Sequence, residues 1–259
     1  MVLISRIITL LNSYTQQNSN SHRNKISCFS CGLREMCWPI GLDEDEINAI
    51  DYLINRWSKT QRGSYLYRAG TSFQSLYIVR SGFFKTYILH EDGREQVTGF
   101  YMPGEMLGLE AISTDTHTCH AKALEDSETC EVPFTRLEEV GRIVPSMMHH
   151  FHKVMSSEIV HNHETISTLS GMNAGDRLII LLLNLSDRFA KLGYSASNFN
   201  LCMTREEIGS YLVLQLETVS RAFSKLQKEG LIKINSKNVQ LNDISWLKQR
   251  SRESCGVPE

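Results

Sequence analysis

The stretch that decides the fold is Met203-Thr-Arg-Glu-Glu-Ile-Gly-Ser-Tyr-Leu212, followed after a short turn by Leu216-Glu-Thr-Val-Ser-Arg221. Thr204 and Glu207 have the spacing of a capping box, in which each side chain satisfies a free backbone amide of the other residue at a helix start. We expect one helix over 204–212 and a second over 216–228, which Gly230 ends. Two helices joined by a tight turn form a helix-turn-helix.

The flanks of this stretch extend the motif. A helix is predicted over 174–192 before it, and a hairpin over 231–241 after it. This order is typical of a winged helix-turn-helix, which places its last helix in the major groove of double-stranded DNA.

Three polar residues of that last helix, Glu217, Ser220 and Arg221, lie at i, i+3 and i+4, so they share one face near its N-terminus. Glutamate can accept a hydrogen bond from cytosine, arginine can donate two to guanine, and serine can contact a base edge or a phosphate. The alternative is an ordinary Glu217–Arg221 surface pair, worth about 0.2–0.5 kcal/mol. The capped helix before them and the wing after them favour base reading.

Towards the N-terminus, 61–134 consists of short β-branched and aromatic runs separated by glycines, which predicts an antiparallel β-roll and an α+β protein overall. Asp92-Gly93 suits a hairpin tip within 90–94, because the glycine accepts a positive φ. Before the roll, apolar residues at helical spacing predict one amphipathic helix over 43–57.

After Pro145 an apolar stripe steps by three or four residues over about six helical turns. One interpretation is a helix packed on its own domain, but the narrow stripe favours a coiled-coil-like homodimer seam. The predicted dimer-interface residues are Met148, Phe151, Met155, Ile159, Asn162, Ile166 and Leu169.

The cysteines suggest a metal site. Cys28, Cys31 and Cys37 form C-x2-C-x5-C, and a stable site needs a fourth ligand from elsewhere in the chain. By spacing alone an iron–sulfur cluster and a structural zinc ion are about equally good hypotheses. Since the apolar run 2–11 is interrupted by Arg6 and no cleavage site follows it, we expect neither a signal peptide nor a membrane span, and hence a cytoplasmic protein with reduced thiols.

These motifs together resemble the superfamily of the cyclic-AMP receptor protein and the fumarate and nitrate reduction regulator (CRP/FNR), and specifically its FNR branch. The resemblance runs from about Cys28 to about Leu241. The most specific matching segments are the cysteine motif, SLYIVRSG at 75–82, EQVTGF at 95–100, CEVPF at 130–134, and the two helix-turn-helix segments.

The resemblance implies a transcription regulator, with an activator role typical of the branch. It implies Cys130 as the fourth thiolate, with Cys28, Cys31 and Cys37, of an oxygen-sensitive [4Fe–4S] cluster, although Cys119 remains a competing ligand. It further implies a homodimer that loses its DNA affinity when oxygen degrades the cluster. The implied DNA site is a palindrome resembling TTGAT-N4-ATCAA, and RNA polymerase would contact the loops near 90–94 and Tyr194.

Three positions depart from the FNR pattern. Asn162 stands where an acidic residue is usual, which makes dimerisation less dependent on the cluster. Val213 and Gln215 replace the usual glycine and capping threonine in the turn before the recognition helix. We therefore expect the fold to survive with a lower affinity for DNA.

Two other regulators of the same fold, and an enzyme, are alternative functions. Gly104-Glu105 would suit a cyclic-nucleotide receptor, but Thr118-Cys119-His120-Ala121 stands where an Arg-Ser pair should hold the phosphate. A haem-based nitric-oxide sensor needs an axial histidine that the four cysteines make unnecessary. An enzyme is not expected, because neither a catalytic triad order nor a phosphate-binding loop is found.

The chain is therefore predicted to comprise a mobile arm (1–27), a cysteine loop with the β-roll sensor (28–145), a dimerisation helix (146–172) and the winged helix-turn-helix (173–259). The last segment carries 12 Lys/Arg against 9 Asp/Glu, within a chain of formal charge −2. This small positive surplus agrees with DNA binding but carries little weight alone.

Overall fold

The computed structural model describes residues 31, 33, 56–142 and 144–255. The N-terminal part is a β-roll, as predicted, made of two four-stranded antiparallel sheets with the orders β1-β8-β3-β6 and β2-β7-β4-β5. The strands of the roll are β1 (Arg56–Thr60), β2 (Tyr65–Tyr67), β3 (Ser75–Ser81), β4 (Phe84–Leu89), β5 (Glu95–Tyr101), β6 (Met106–Leu107), β7 (His120–Ala123) and β8 (Ser127–Pro133).

The two sheets face each other across an apolar cluster. Phe84 and Tyr67 come from one sheet, and Val79 and Leu107 from the other. Because strand side chains alternate between faces, each sheet keeps an outer face for a different neighbour. The roll is thus a central layer with two covered sides.

The prediction of a helix over 43–57 is wrong at its C-terminal end. Residues 43–55 lie outside the described part of the chain, but Trp57 belongs to strand β1, where it pairs with Cys130 of β8. The Arg80 guanidinium lies 3.6 Å from the centre of the Trp57 ring. Sheet pairing therefore determines the conformation here, although Trp57 continues the helical spacing.

The hairpin tip is confirmed. Strands β4 and β5 pair up to Leu89 and Glu95, and Gly93 has a φ of 83°. Asp92 accepts hydrogen bonds from the backbone and the side chain of Arg94, which stabilise the turn.

Two helices follow the roll, α1 (Phe134–Gly141) and α2 (Pro145–Gly171). The sequence reasoning did not predict α1. Leu137 of α1 and Met147 and Phe151 of α2 share an apolar cluster with Ile78 and Val132, which lie on the outer face of the β1-β8-β3-β6 sheet. The first turns of α2 are therefore anchored on the roll.

The C-terminal part is a winged helix-turn-helix, as predicted. Its elements are α3 (Ala174–Lys191), β9 (Asn198–Asn200), α4 (Arg205–Leu212), α5 (Leu216–Lys228), β10 (Ile232–Asn235), β11 (Asn238–Leu241) and α6 (Ile244–Cys255). Strand β9 joins the wing as a third strand, and α6 packs on α3 through the Arg250–Asp176 ion pair. Neither β9 nor α6 was predicted. No helix within the described ranges is long and apolar enough to cross a membrane.

The C-terminal core continues into the roll. Phe83, which directly precedes β4, and Tyr87 and Phe100 of the β2-β7-β4-β5 sheet belong to the same buried cluster as Leu182 of α3 and Leu212 of α4. One sheet thus supports α1 and α2, and the other supports the helix-turn-helix.

The turn between α4 and α5 is strained. Val213 has φ 55° and ψ 49°, the left-handed conformation, and its side chain is 59% exposed. This conformation costs an ordinary residue about 1–2 kcal/mol, and a β-branched side chain is especially unfavourable there. The exposed side chain offers little burial to offset that cost.

We predict that Val213→Gly raises the free energy of unfolding by about 1 kcal/mol, because glycine adopts this conformation without a steric penalty. Urea denaturation followed by circular dichroism would measure the change. The opposite kind of change at another turn, Gly230→Ala, replaces a glycine whose φ is +74° and should lower the free energy of unfolding by a similar amount. Unchanged or lower stability of Val213→Gly would show that the turn is not strained.

Candidate DNA interface and cysteine site

Helix α5 presents the predicted reading face to solvent. It buries Val219, Phe223 and Leu226 in the core. On the opposite side Glu217 and Arg221 are exposed and Ser220 is half-buried. The Nε atom of Arg221 donates to the backbone carbonyl of Glu217 over 3.4 Å, and no Glu217–Arg221 ion pair occurs among the described residues. Both charged groups therefore remain available to a ligand in front of this face.

Several contacts fix α4 and the turn that leads into α5. The predicted capping box is confirmed, since Thr204 Oγ1 accepts from the Glu207 amide and Glu207 accepts from the Thr204 amide. Gly209 lies so close to the Leu214 carbonyl that a Cβ atom would come within 2.7 Å of its oxygen. Arg177 of α3 donates to the Leu212 carbonyl over 3.0 Å. The two helices and their turn therefore form one rigid unit.

Helix α5 begins without a side-chain cap. Gln215 occupies the N-cap position in an extended conformation, and its side chain makes no capping hydrogen bond. A threonine or serine there would typically contribute about 1 kcal/mol. The amides at this helix start are consequently open to an external acceptor such as a phosphate.

Cys130 lies on the central strand β8, paired with Trp57 and Ile78 on the neighbouring strands. Its side chain is part-buried and packs against the cluster that contains Val132 and the first turns of α2. Burial, and to a smaller extent the nearby thiol of Cys31, raises the pKa of the Cys130 thiol to about 11. Two of the four predicted ligands, Cys31 and Cys130, are therefore close enough to interact electrostatically.

Cys119, the competing ligand, lies in the other cluster, between the two sheets of the roll. Burial and the Glu110 carboxylate raise its pKa to about 12. The sheet separates it from the face that carries Cys130. The geometry thus favours Cys130 over Cys119 as a neighbour of the cysteine loop.

The other two predicted ligands, Cys28 and Cys37, lie outside the described residues. Within the described part of the chain, no group of three or more His, Cys, Asp or Glu side chains is arranged to hold a metal. Cys31 and Cys130 are both free thiols of intermediate burial, and thiol donors suit a soft metal or an iron–sulfur cluster more than a hard cation.

In the turn that would bind a cyclic nucleotide, the Glu105 carboxylate already accepts hydrogen bonds from other residues of the chain. Both carboxylate oxygens of Glu105 accept hydrogen bonds from Arg188 of α3, one of them over 2.7 Å, and Glu105 also accepts from the Met102 amide. A ligand hydroxyl would have to compete with a charged pair for this carboxylate. This arrangement disfavours the cyclic-nucleotide alternative.

Comparison with known proteins supports this geometry. Residues 58–142 match the model of the cyclic nucleotide-binding domain, and residues 176–250 match the Crp-like helix-turn-helix domain. The transcriptional regulatory protein btr of Bordetella pertussis is 42% identical over 229 residues, which cover 88% of this chain and 95% of that protein. The chain belongs to the CRP/FNR family.

Two further relatives are similar over most of this CRP/FNR chain. The anaerobic regulatory protein of Haemophilus influenzae is 40% identical over 86% of each protein. The fumarate and nitrate reduction regulatory protein of Escherichia coli is 38% identical over 90% of this chain and 93% of its own length. Among solved structures, FixK2 from Bradyrhizobium japonicum aligns with a TM-score of 0.69 and 28% identity, over 75% of this chain and 96% of FixK2. The protein is thus a DNA-binding transcription regulator and not an enzyme.

The predicted dimer stripe of this CRP/FNR regulator divides into two halves. Phe151 is buried within its own chain, and Met148 and Met155 pack on the same cluster. Ile159 and Ile166 are 56% and 64% exposed. Asn162 is exposed between them, and Leu169 is half-buried beside α3. The apolar surface available to a second copy is therefore centred on the C-terminal half of α2.

The sequence reasoning missed the side chains that join the roll to the DNA-binding part. Lys85 and Ser210 link the β4–β5 hairpin to α4, and Arg188 links α3 to Glu105. The only signal was Lys85 itself, a lysine inside the apolar run of β4. Its partner Glu207 is distant in sequence and could not be identified from spacing.

Proposed function

We propose that this CRP/FNR regulator responds to oxygen through a [4Fe–4S] cluster held by Cys28, Cys31, Cys37 and Cys130, and binds DNA as a homodimer. The observation that carries the proposal is the position of Cys130, which packs on the outer face of the roll against the cluster of α2 and lies near enough to Cys31 for that thiol to affect its pKa. Two relatives carry names that refer to anaerobic regulation and to fumarate and nitrate reduction. The proposal places the protein in the cytoplasm, where thiols remain reduced.

The position of Cys130 supports a route from the cysteine site to the dimer helix. Cys130 packs against the same apolar cluster as Met147, Phe151 and Met155 of α2. The [4Fe–4S] cluster, when bound, would supply reactivity towards oxygen and would link the cysteine loop rigidly to β8. When Cys130 is no longer tied to the loop, the packing beneath the first turns of α2 changes. Because packed cores favour discrete arrangements, this change biases α2 between two positions.

Dimerisation uses the stripe Met148, Phe151, Met155, Ile159, Asn162, Ile166 and Leu169. Ile159 and Ile166 supply the exposed apolar area, and because each is 56–64% exposed, burying the remainder would contribute roughly 1–2 kcal/mol per side chain. Asn162 adds no charge to this seam, so the two helices do not repel each other at that position. The dimer is consequently less dependent on the cluster than one with an acidic residue there.

The DNA site is a palindrome resembling TTGAT-N4-ATCAA, read by Glu217, Ser220 and Arg221. Their exposure on α5 supports this role, and a two-fold dimer suits a palindromic site. RNA polymerase would meet the hairpin tip at 90–94 and the region of Tyr194, whose side chain is 66% exposed. Both surfaces lie away from the buried core.

The first prediction concerns the cluster. Protein purified without air should be brown with about four irons and four sulfides per chain, and air should bleach it and abolish palindrome binding together. Cys130→Ser should lose the iron, whereas Cys119→Ser should retain it, because Cys119 lies between the sheets. Visible spectroscopy, iron analysis and fluorescence anisotropy with labelled DNA would measure this. A colourless protein whose binding ignores air would contradict the sensor and indicate zinc.

The second prediction concerns base reading. Arg221→Ala should weaken binding to the palindrome by roughly 1–3 kcal/mol and relax the preference for guanine at one position of each half-site. Anisotropy titrations against the palindrome and its single-base variants would measure both effects. Lys228→Ala, at the far end of α5, serves as the control. Equal losses for all sequences would assign Arg221 to a phosphate instead.

The third prediction concerns the dimer. Ile166→Lys should shift the protein from dimer to monomer, with at least a tenfold weaker association, because it places a charge in the seam. Val160→Lys is the matched control, since Val160 is also exposed but lies roughly 140° around the helix from the centre of the stripe. Sedimentation velocity would compare them. Dissociation by both variants, or by neither, would contradict the predicted seam.

A further inference from the structure

The first helix of the helix-turn-helix is docked on the sensor through a buried lysine. Lys85 of β4 is only 6% exposed, and its ammonium lies 2.9 Å from Glu95 and 3.0 Å from Glu207 of α4. Burial alone would lower the pKa of Lys85, but its hydrogen bonds to the two carboxylates outweigh burial and raise the pKa. Lys85 therefore remains charged and bridges the hairpin and the capping box of α4.

A serine makes the second link. Strand β5 is the edge of its sheet, so its outward backbone groups would otherwise lack partners. Ser210 Oγ accepts from the Val97 amide over 2.8 Å and donates to the Glu95 carbonyl over 2.6 Å. The side chain of Gln96 donates to the Ser210 carbonyl. One residue of α4 thus takes the place of a neighbouring strand.

Fixing α4 also fixes the recognition helix. Gly209 of α4 packs closely against both the Leu214 carbonyl in the turn and the Val219 side chain of α5, so that α4 and α5 move together. The docking contacts lie on the side of α4 that faces the roll, and they leave Glu217 and Arg221 exposed. Two copies of α5 must lie about 34–36 Å apart to read both halves of a palindrome at once. A helix-turn-helix free to swing on its sensor would not maintain that spacing.

We propose that Lys85 and Ser210 are positioning residues that hold α5 in the orientation, relative to the sensor, that a dimer needs to read both half-sites together. The proposal rests on the proposed palindromic site. It assigns them an effect on the geometry of binding and not on the contact with an individual base.

The test compares Ser210→Ala and Lys85→Met with wild type on three labelled duplexes: the N4 palindrome, the same palindrome with an N5 spacer, and a single TTGAT half-site. We expect about tenfold weaker binding to the N4 palindrome, a correspondingly smaller preference for N4 over N5, and half-site binding unchanged within about twofold. Lys85→Arg should restore the spacer preference. Ser251→Ala and Lys59→Met, which remove a hydroxyl on α6 and an ion-paired ammonium on the other sheet of the roll, should behave as wild type.

Two results would overturn this inference. Variants that retain the full spacer preference would show that the docking contacts do not position α5. Equal losses on palindrome and half-site would indicate damage to the helix-turn-helix itself, and thermal unfolding of each variant would reveal it. A wild-type protein that did not prefer the palindrome to unrelated DNA would contradict the proposed DNA site itself. Because that outcome is measured on wild type alone, it is distinct from the two results for the variants.

Discussion

The apolar packing between the two sheets of the roll is the constraint on which the rest of the molecule depends. Phe84, Val79 and Leu107 are almost fully buried there. Since this packing uses one face of every strand, the alternate residues must be covered from outside. One outer face receives α1 and α2, and the other receives the helix-turn-helix. The roll thereby contacts both α2 and the helix-turn-helix directly.

The contacts on the two outer faces of the roll have different physical origins. The face beneath α2 is held by apolar side chains such as Ile78, Val132 and Phe151, whose non-directional contacts allow more than one packed arrangement. The face beneath α4 carries a buried ion pair and hydrogen bonds to an edge strand. Removing one partner of such a pair leaves an uncompensated buried charge, which is costly. The helix-turn-helix is therefore held in a defined orientation, whereas α2 rests on a more adaptable surface.

Local patterns predicted much of this protein. The capping box, the hairpin tip and the helix Leu216–Lys228 follow from rules that act over a few residues, and the structure contains all three. The error at Trp57 has the opposite cause, because pairing with a strand more than 70 residues away determines its conformation. The Lys85–Glu207 pair was missed for the same reason. Long-range pairing leaves little trace in one sequence, so the core motifs were predictable and the contacts between them were not.

The separation of the two outer faces has a consequence for how a signal at Cys130 reaches DNA. Cys130 lies on the outer face of the roll that packs against α2, whereas the docking contacts of Lys85 and Ser210 lie on the other sheet. A change at Cys130 therefore reaches the seam through Phe151 and Met155 without first breaking the buried ion pair. In the function we propose, the cysteine site would control whether two chains associate, while the hairpin would determine where each recognition helix points. Dimer stability and half-site geometry would then be independent properties, because different faces of the roll set them.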